Sequence, residues 1–249
     1  MYTHTNLEGK KALVTGGSRG LGLAICKHFA SLGAEVAFTY SKNDWDAEDA
    51  AKEISAKGTK PLVFKGSVSD STHVRDTVAA LISQWGSVDI LVNNAGITQI
   101  LPIALIDEED WDEVMDVNLK GVYLFSRAVL RHMIKAQAGA ILNIGSFASE
   151  RFVESPVHYA ASKSALRGFT EALALEVGRH KIRVNLLSPG LLNVGLGTMI
   201  PQHRVDEFID QTTLGRKGTV AEIAPLAAYL VSDENSFMTG AKIVADGGL

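Results

Sequence analysis

Lys11-Ala12-Leu13-Val14-Thr15-Gly16-Gly17-Ser18-Arg19-Gly20-Leu21-Gly22 is the stretch that decides how this chain folds. Its first five residues form a short, largely apolar run of the kind that makes a buried strand. Its last residues open a helical pattern, in which Leu21, Ile25 and Phe29 recur four apart and so share one face. Between the two lies a glycine turn. Glycines at 16, 20 and 22 let the backbone turn tightly and let its N–H groups approach an anion, while the helix that follows points its positive end at the same spot. A glycine turn alone is a weak signal, but strand, glycine turn and helix in that order are the context a dinucleotide pyrophosphate needs. The spacing is G-x-x-x-G-x-G rather than G-x-G-x-x-G.

The same alternation continues outward from this unit. Further strands are predicted at Glu35–Tyr40, Pro61–Lys65, Ile90–Asn93, Ala140–Ile144, Arg183–Ser188 and Ala241–Ala245. Helices are predicted at Gly20–Leu32, Asp46–Lys57, Asp70–Trp85, Glu108–Lys135, Ser155–Gly178 and Val220–Ser232. Strands that alternate with helices of this length imply right-handed crossovers and a parallel sheet of about seven strands, covered by helices on both faces. No Pro/Ser-rich linker, repeat or low-complexity tract divides the chain, so residues 1–249 are expected to form one α/β domain. Only Leu191–Leu214 reads as a long segment without clear structure. It follows the C-terminal end of a strand, where open α/β sheets bind ligands, and is expected to act as a substrate lid.

Composition narrows the function classes. The chain has 249 residues, 46% of them hydrophobic, with 24 Lys and Arg against 28 Asp and Glu and a formal charge of -4. That balance supplies neither a basic face for nucleic acid nor a polybasic membrane patch. No apolar run approaches the roughly 20 residues that cross a bilayer. The opening MYTHTNLEGK lacks the apolar core of a secretory signal. The single cysteine, Cys26, cannot form an internal disulfide, and its place in a helical pattern reads as a packed thiol in a reducing compartment. These features point to a cytoplasmic protein. The seven histidines and one cysteine show no ligand spacing, so no metal is expected.

Four further pieces fall in order along the chain: Asn93-Asn94-Ala95-Gly96, Asn118, Ser146, and Tyr159-Ala160-Ala161-Ser162-Lys163. With the glycine turn, the Pro189-Gly190 pair and the closing Asp246-Gly247-Gly248, they make the chain resemble the short-chain dehydrogenase/reductase family from Lys10 to Gly248. The resemblance implies a Rossmann-type doubly wound sheet and assembly as a homotetramer. It implies that Ser146 and Tyr159 hydrogen-bond a substrate carbonyl, that Tyr159 moves the proton, that Lys163 lowers the pKa of the tyrosine and binds the nicotinamide ribose, and that Asn118 supports a proton relay. Chemistry supports the pair: residues four apart share a helix face, and a nearby ammonium favours a phenolate.

The same resemblance assigns the nicotinamide cofactor to Gly16, Ser18, Arg19, Gly20, Leu21 and Gly22, then to Tyr40, Ser41 and Lys42, Ser67 and Val68, Asn94, Ala95 and Gly96, Tyr159 and Lys163, and Pro189 and Gly190. An NAD site ends its second strand with an acid that holds the ribose 2′-hydroxyl. Here that strand ends Phe38-Thr39-Tyr40-Ser41-Lys42. With no acid there, and with Arg19 and Lys42 available to a 2′-phosphate, NADPH is the expected cofactor. Two positions depart from the family pattern: Ser67 stands where many relatives hold the adenine with an acid or Asn, and Val194 where many have a Thr against the nicotinamide amide.

Within the family the chain looks most like the 3-oxoacyl-acyl-carrier-protein reductases, through stretches such as Leu214-Gly215-Arg216-Lys217-Gly218-Thr219. An acidic carrier would need cations near the cleft mouth, for which Arg131, Lys135, Arg179, His180 and Lys181 are candidates. The two positions usually credited with carrier docking fall on Gln137 and His180. Between serine and tyrosine, Glu150-Arg151-Phe152-Val153-Glu154 should line the substrate pocket, with Arg151, Phe152, Glu154, Leu191 and Leu192 as substrate contacts. Two charges and an aromatic look unlike a plain fatty-acyl slot and suggest a specialised ketoreductase, as in a polyketide pathway. Other readings are a reductase of another alcohol–ketone pair (sugar, steroid or aromatic polyol) and a non-catalytic nucleotide-binding protein.

Overall fold

The structure is a computed structural model that describes residues 5–249 and, of Leu196, the backbone alone. The residues Met1–His4 of the MYTHTNLEGK reading lie outside the described ones. Seven strands form one sheet: β1 Lys11–Val14, β2 Glu35–Tyr40, β3 Leu62–Lys65, β4 Ile90–Asn93, β5 Gly139–Ile144, β6 Ile182–Pro189 and β7 Lys242–Ala245. Their order is β3-β2-β1-β4-β5-β6-β7, and every pairing is parallel. The sheet is thus the doubly wound one expected, with each strand within a residue or two of its predicted bounds.

Side chains leave a strand alternately to either face, and both faces here are buried. Ala12, Val14, Val36, Phe38, Ile90, Val92, Leu142 and Ile144 pack into one cluster. It is covered by α1 Gly20–Ser31, α2 Asp44–Ser55 and α8 Val220–Val231, through residues such as Ile25, Phe29, Ile54, Ala227 and Ala228. The intervening Leu13, Ala37, Leu91 and Ile141 enter a second cluster. That one lies under α3 Ser71–Trp85, α5 Gly121–Ala136 and α6 Val157–Val177, through Val74, Leu81, Phe125, Val129, Leu173 and Val177. Cys26 is fully buried in the first cluster, and burial pushes its thiol far above the ordinary range, so it is a packing residue.

Two predicted segments differ. Glu108–Lys135 is not one continuous helix: α4 Glu108–Met115 runs into a π-helical turn, Asp116–Lys120, before α5 begins. Such turns insert an extra residue and re-aim side chains, often at functional sites. Leu191–Leu214 is not without structure, for it contains a helix, α7 Gln202–Gln211, behind a short 3₁₀ turn at Gly195–Thr198. Its apolar signal is only Val205, Phe208 and Ile209, and of its residues only Val205 is fully buried. Pro201 precedes its first residue, a position where proline's fixed φ suits a helix start.

Strand order reverses direction between β1 and β4. The chain leaves that point to opposite sides, so a crevice opens beyond the carboxyl ends of the two strands.

Candidate active site

The glycine turn is held to the β4 end by Thr15 and Asn94. The Thr15 hydroxyl oxygen accepts from the backbone N–H groups of Asn94 and Ala95, each at 3.0 Å. Asn94 Nδ2 donates to the carbonyls of Thr15 at 2.9 Å and Gly16 at 3.1 Å. Gly16 and Gly20 have φ of 67° and 58°, a left-handed backbone that glycine adopts without strain. A Cβ on Gly22 would collide with the Gly16 carbonyl oxygen. Arg19, the residue before α1, makes no side-chain cap bond, which leaves the first-turn N–H groups of that helix to a ligand. A strapped turn, an uncapped helix start and no Cβ in the way form a cradle that fits a pyrophosphate.

A cleft of about 1370 Å³ runs from this turn to the segment after β5. Every residue assigned to the cofactor lines it, from Gly16 through Tyr40, Lys42, Ser67 and Gly96 to Gly190. The carboxylates that line it are Glu113, Glu154 and Glu207, none of which belongs to the turn or to the end of β2. The nearest acid to the end of β2, Asp44, is already engaged: it accepts from Tyr40 Oη at 2.7 Å and pairs with Lys65 at 2.8 Å. Those two hydrogen bonds hold its carboxyl below the usual carboxylate range. Ser67 faces solvent with its hydroxyl on Ser69 at 2.8 Å, and Val194 lines the cleft.

Ser146, Tyr159 and Lys163 converge in the middle of the cleft. Ser146 follows β5 and is buried; its hydroxyl accepts from the N–H of Ala148 at 3.2 Å and hydrogen-bonds the Tyr159 hydroxyl. Tyr159 and Lys163 stand one turn apart on α6, with Nζ 5.9 Å from the tyrosine ring centre. Lys163 is buried and donates to the Ile144 carbonyl at 2.9 Å. Burial brings its ammonium down to about 8. The expected lowering of the Tyr159 phenol by Lys163 does not appear. Burial pushes that phenol up, and the Ser146 hydrogen bond opposes it. The reason is that one low-dielectric pocket disfavours both charged forms.

Asn118 does not line the cleft. It sits fully buried on the π turn. Its Oδ1 accepts from the Ile97 N–H at 2.8 Å, and its Nδ2 donates to the Ile97 carbonyl at 2.9 Å and to Ser162 Oγ at 3.0 Å. Ser162 in turn donates to the Tyr159 carbonyl at 2.8 Å. Asn118 therefore pins the loop after β4 to the helix that carries the tyrosine. A Cβ on Gly96 would lie 3.4 Å from both Asn118 Oδ1 and Lys163 Nζ, so the glycine leaves a gap between them.

Of the five substrate positions, Phe152, Glu154, Leu191 and Leu192 line the cleft and Arg151 does not. Its guanidinium pairs with Asp246 at 2.8 Å, and the Asp246 side chain is 6% exposed. Glu150 is also turned to structural use, paired with Lys242 at 2.6 Å. Glu154 reaches across to α7 and pairs with Arg204 at 2.7 Å. Beneath that pair, Phe147 meets Phe208 edge to face at 5.4 Å. The substrate-end residues that sequence reasoning missed are mostly on α7 and on the loop after β4, among them Ile97, Ile100, Met199, His203 and Phe208. The signals for the α7 part were its place in the expected lid, 191–214, and the apolar spacing of Val205, Phe208 and Ile209.

The cations proposed to receive a carrier lie elsewhere. Lys135 is in the last turn of α5, just before β5, and Arg179–Lys181 immediately precede β6. Both places belong to the amino ends of the strands, the edge opposite the cleft. Gln137 and His180 hydrogen-bond each other there at 3.0 Å. Among the described residues, no helix is long and apolar enough to cross a membrane.

A family model described as enoyl-(acyl carrier protein) reductase matches residues 16–249. The chain is 39% identical over 244 residues to a 3-oxoacyl-[acyl-carrier-protein] reductase of Chlamydia muridarum, covering 98% of each. It is 38% identical over 244 residues to the 3-oxoacyl-[acyl-carrier-protein] reductase of Pseudomonas aeruginosa, again 98% of each. Among solved structures, a short-chain dehydrogenase/reductase from Serratia marcescens matches with a TM-score of 0.91 at 37% identity, covering 97% of this chain and 98% of the other.

Proposed function

Since the chain belongs to the short-chain dehydrogenase/reductase family and is an oxidoreductase of the CH–OH/C=O pair, we propose that it reduces a 3-oxoacyl thioester to the 3-hydroxyacyl form with NADPH. The observation that carries the reading is the meeting of Ser146, Tyr159 and Lys163 in the cleft that also contains the glycine turn. The full-length likeness to 3-oxoacyl-[acyl-carrier-protein] reductases supports the thioester.

In this reading Gly16–Gly22 and the start of α1 hold the pyrophosphate. Arg19 and Lys42 hold the 2′-phosphate by charge-assisted hydrogen bonds, and Asn94–Gly96, Lys163 and Pro189-Gly190 flank the nicotinamide half. Bound NADPH supplies the hydride. Ser146 and Tyr159 donate hydrogen bonds to the carbonyl oxygen as it gains charge. Tyr159, kept protonated by burial, hands its proton to that oxygen. Lys163, charged below about 8, stabilises the phenolate left behind. Asn118 keeps α6 and the loop after β4 in register. The segment 191–214, with α7, serves as the lid. The chain assembles as a homotetramer in this reading, in keeping with the apolar side chains of Leu175, 87% exposed, and Phe237, fully exposed, and light scattering tests it.

The test is loss of reduced-nicotinamide absorbance with a short 3-oxoacyl thioester. We expect oxidation of NADPH well ahead of NADH, and a drop of about 10²–10⁴ in Tyr159→Phe. Arg19→Ala should raise KM for NADPH about tenfold and leave NADH nearly unchanged. NADPH that binds but is never oxidised by any 3-oxoacyl thioester would refute the substrate, and equal use of both nicotinamides would refute the cofactor.

A further inference from the structure

The ends of the cleft differ in charge. At the glycine turn and the end of β2 the lining charges are Arg19 and Lys42. At the substrate end they are Glu113, Glu154 and Glu207, with Arg204 and one histidine, His203. Arg204 is not available to a ligand as a bare cation. It is bound to Glu154 at 2.7 Å and to Glu207 at 3.0 Å. Lys163 is buried at the floor, on the Ile144 carbonyl. Glu113, on α4, lines the cleft and is exposed to solvent. Three carboxylates thus stand against one engaged guanidinium. The rim also carries open apolar side chains: Phe152 is fully exposed, Ile103 65% and Met199 53%. The exposed basic groups of Lys135 and Arg179–Lys181 sit at the opposite edge of the sheet.

We infer that the substrate end selects a free, uncharged carbonyl compound with an apolar body, such as a neutral 3-oxoacyl ester or thioester, over the same group on an anionic phosphopantetheine handle. This rests on the reading of the chain as a 3-oxoacyl reductase and specifies the form in which the acyl group arrives. The physical basis is selection against the alternative. A phosphate or an acidic carrier at this rim meets like charge within a Debye length of about 8 Å at physiological salt, and among the described residues lining this end the one guanidinium, Arg204, is already paired. An uncharged substrate pays no such repulsion and packs its body on the apolar side chains of the rim.

The experiment compares one acyl group in two forms on the full chain at saturating NADPH: acetoacetyl-N-acetylcysteamine, which is neutral, and acetoacetyl-coenzyme A, which is anionic. The expected result is a kcat/KM about tenfold higher for the neutral thioester at low salt. The gap should shrink at high salt, because screening relieves only the anionic substrate, and Glu113→Gln should narrow it at low salt. Equal use of the two forms, or preference for the coenzyme A form, overturns the inference and leaves the reductase reading standing. If neither thioester is reduced, the reductase reading fails instead. The charge rule is then read on an uncharged aryl ketone and its carboxylate-bearing counterpart: preference for the neutral ketone supports it and preference for the carboxylate overturns it.

Discussion

Lys163 shows most directly how a functional side chain works against stability. It is buried with its charge, and that burial lowers its pKa to about 8 from an ordinary 10.5. Between those values the unfolded chain binds more protons than the folded one, so stability rises with pH across that window. Below about 8 both states are protonated and the folded state carries the whole penalty, roughly 3 kcal/mol. Lys163→Met should therefore be inactive yet more stable at pH 7. The gain is reduced by the Ile144 carbonyl left without its donor, and the difference should close as pH approaches 10. Urea denaturation of both proteins at the two pH values measures it, and a gain over the wild type no larger at pH 7 than at pH 10 would refute the account. The same residue sets an activity limit: turnover should fall as pH rises past about 8, where Lys163 loses its charge. The motif Tyr159–Lys163 was legible in the sequence because one helical turn places the two together. That burial would raise the tyrosine's pKa was not, since it depends on what closes over the pair.

At the scale of elements, α7 and the π turn are the two places where sequence periodicity gave too little. α7 has one fully buried residue and is held over the cleft by contacts distant in the chain: Phe208 on Phe147 and Arg204 on Glu154. Short helices are marginal on their own and depend on such packing. Arg204→Ala should loosen α7 without touching the reacting groups. The ion pair is partly exposed, so the stability loss should stay below about 1 kcal/mol. KM for the substrate should rise a few-fold, with kcat little changed. A fall in kcat with KM unchanged would instead put Arg204 in the chemistry. The π turn left no mark in the apolar pattern either. Asn118 reads as an ordinary helix position until Ile97, 21 residues earlier, is seen to bond both ends of its amide.

Across the whole molecule, the segment after Ser146 is anchored to the far edge of the sheet. Glu150 pairs with Lys242 on β7, and Arg151 with Asp246 just beyond it. Burial raises the Asp246 carboxyl, but Arg151 and the N–H of Gly248 outweigh it, and the group ends below its ordinary pKa. A depressed carboxylate adds stability above its unfolded pKa and loses it as pH falls through the folded value. Arg151→Ala leaves a buried carboxylate without its partner and should cost about 1–3 kcal/mol at pH 7, with a smaller loss at acid pH. Thermal denaturation at both values checks this. Cofactor preference should be unchanged; a shift in substrate KM as large as the stability loss would return Arg151 to the substrate site.

What the sequence determined by itself is whatever rests on local spacing. Strand and helix alternation was enough for the doubly wound sheet, because a strand buried on both faces and a helix with one apolar face leave periods that can be read directly. The glycine turn was legible because the backbone there favours glycine, and Ser146 because it stands in register with the family motif just beyond a predicted strand. Tertiary structure decided everything that depends on contacts between distant segments: Arg151 bonded away from the pocket, α7 folded over it, Asn118 tying a loop to α6, and a cleft with cations at one end and carboxylates at the other. A side chain's charge and type are written in the chain. Which cavity it faces, and whether another residue has already neutralised it, is set only when the sheet brings residues a hundred positions apart to the same edge.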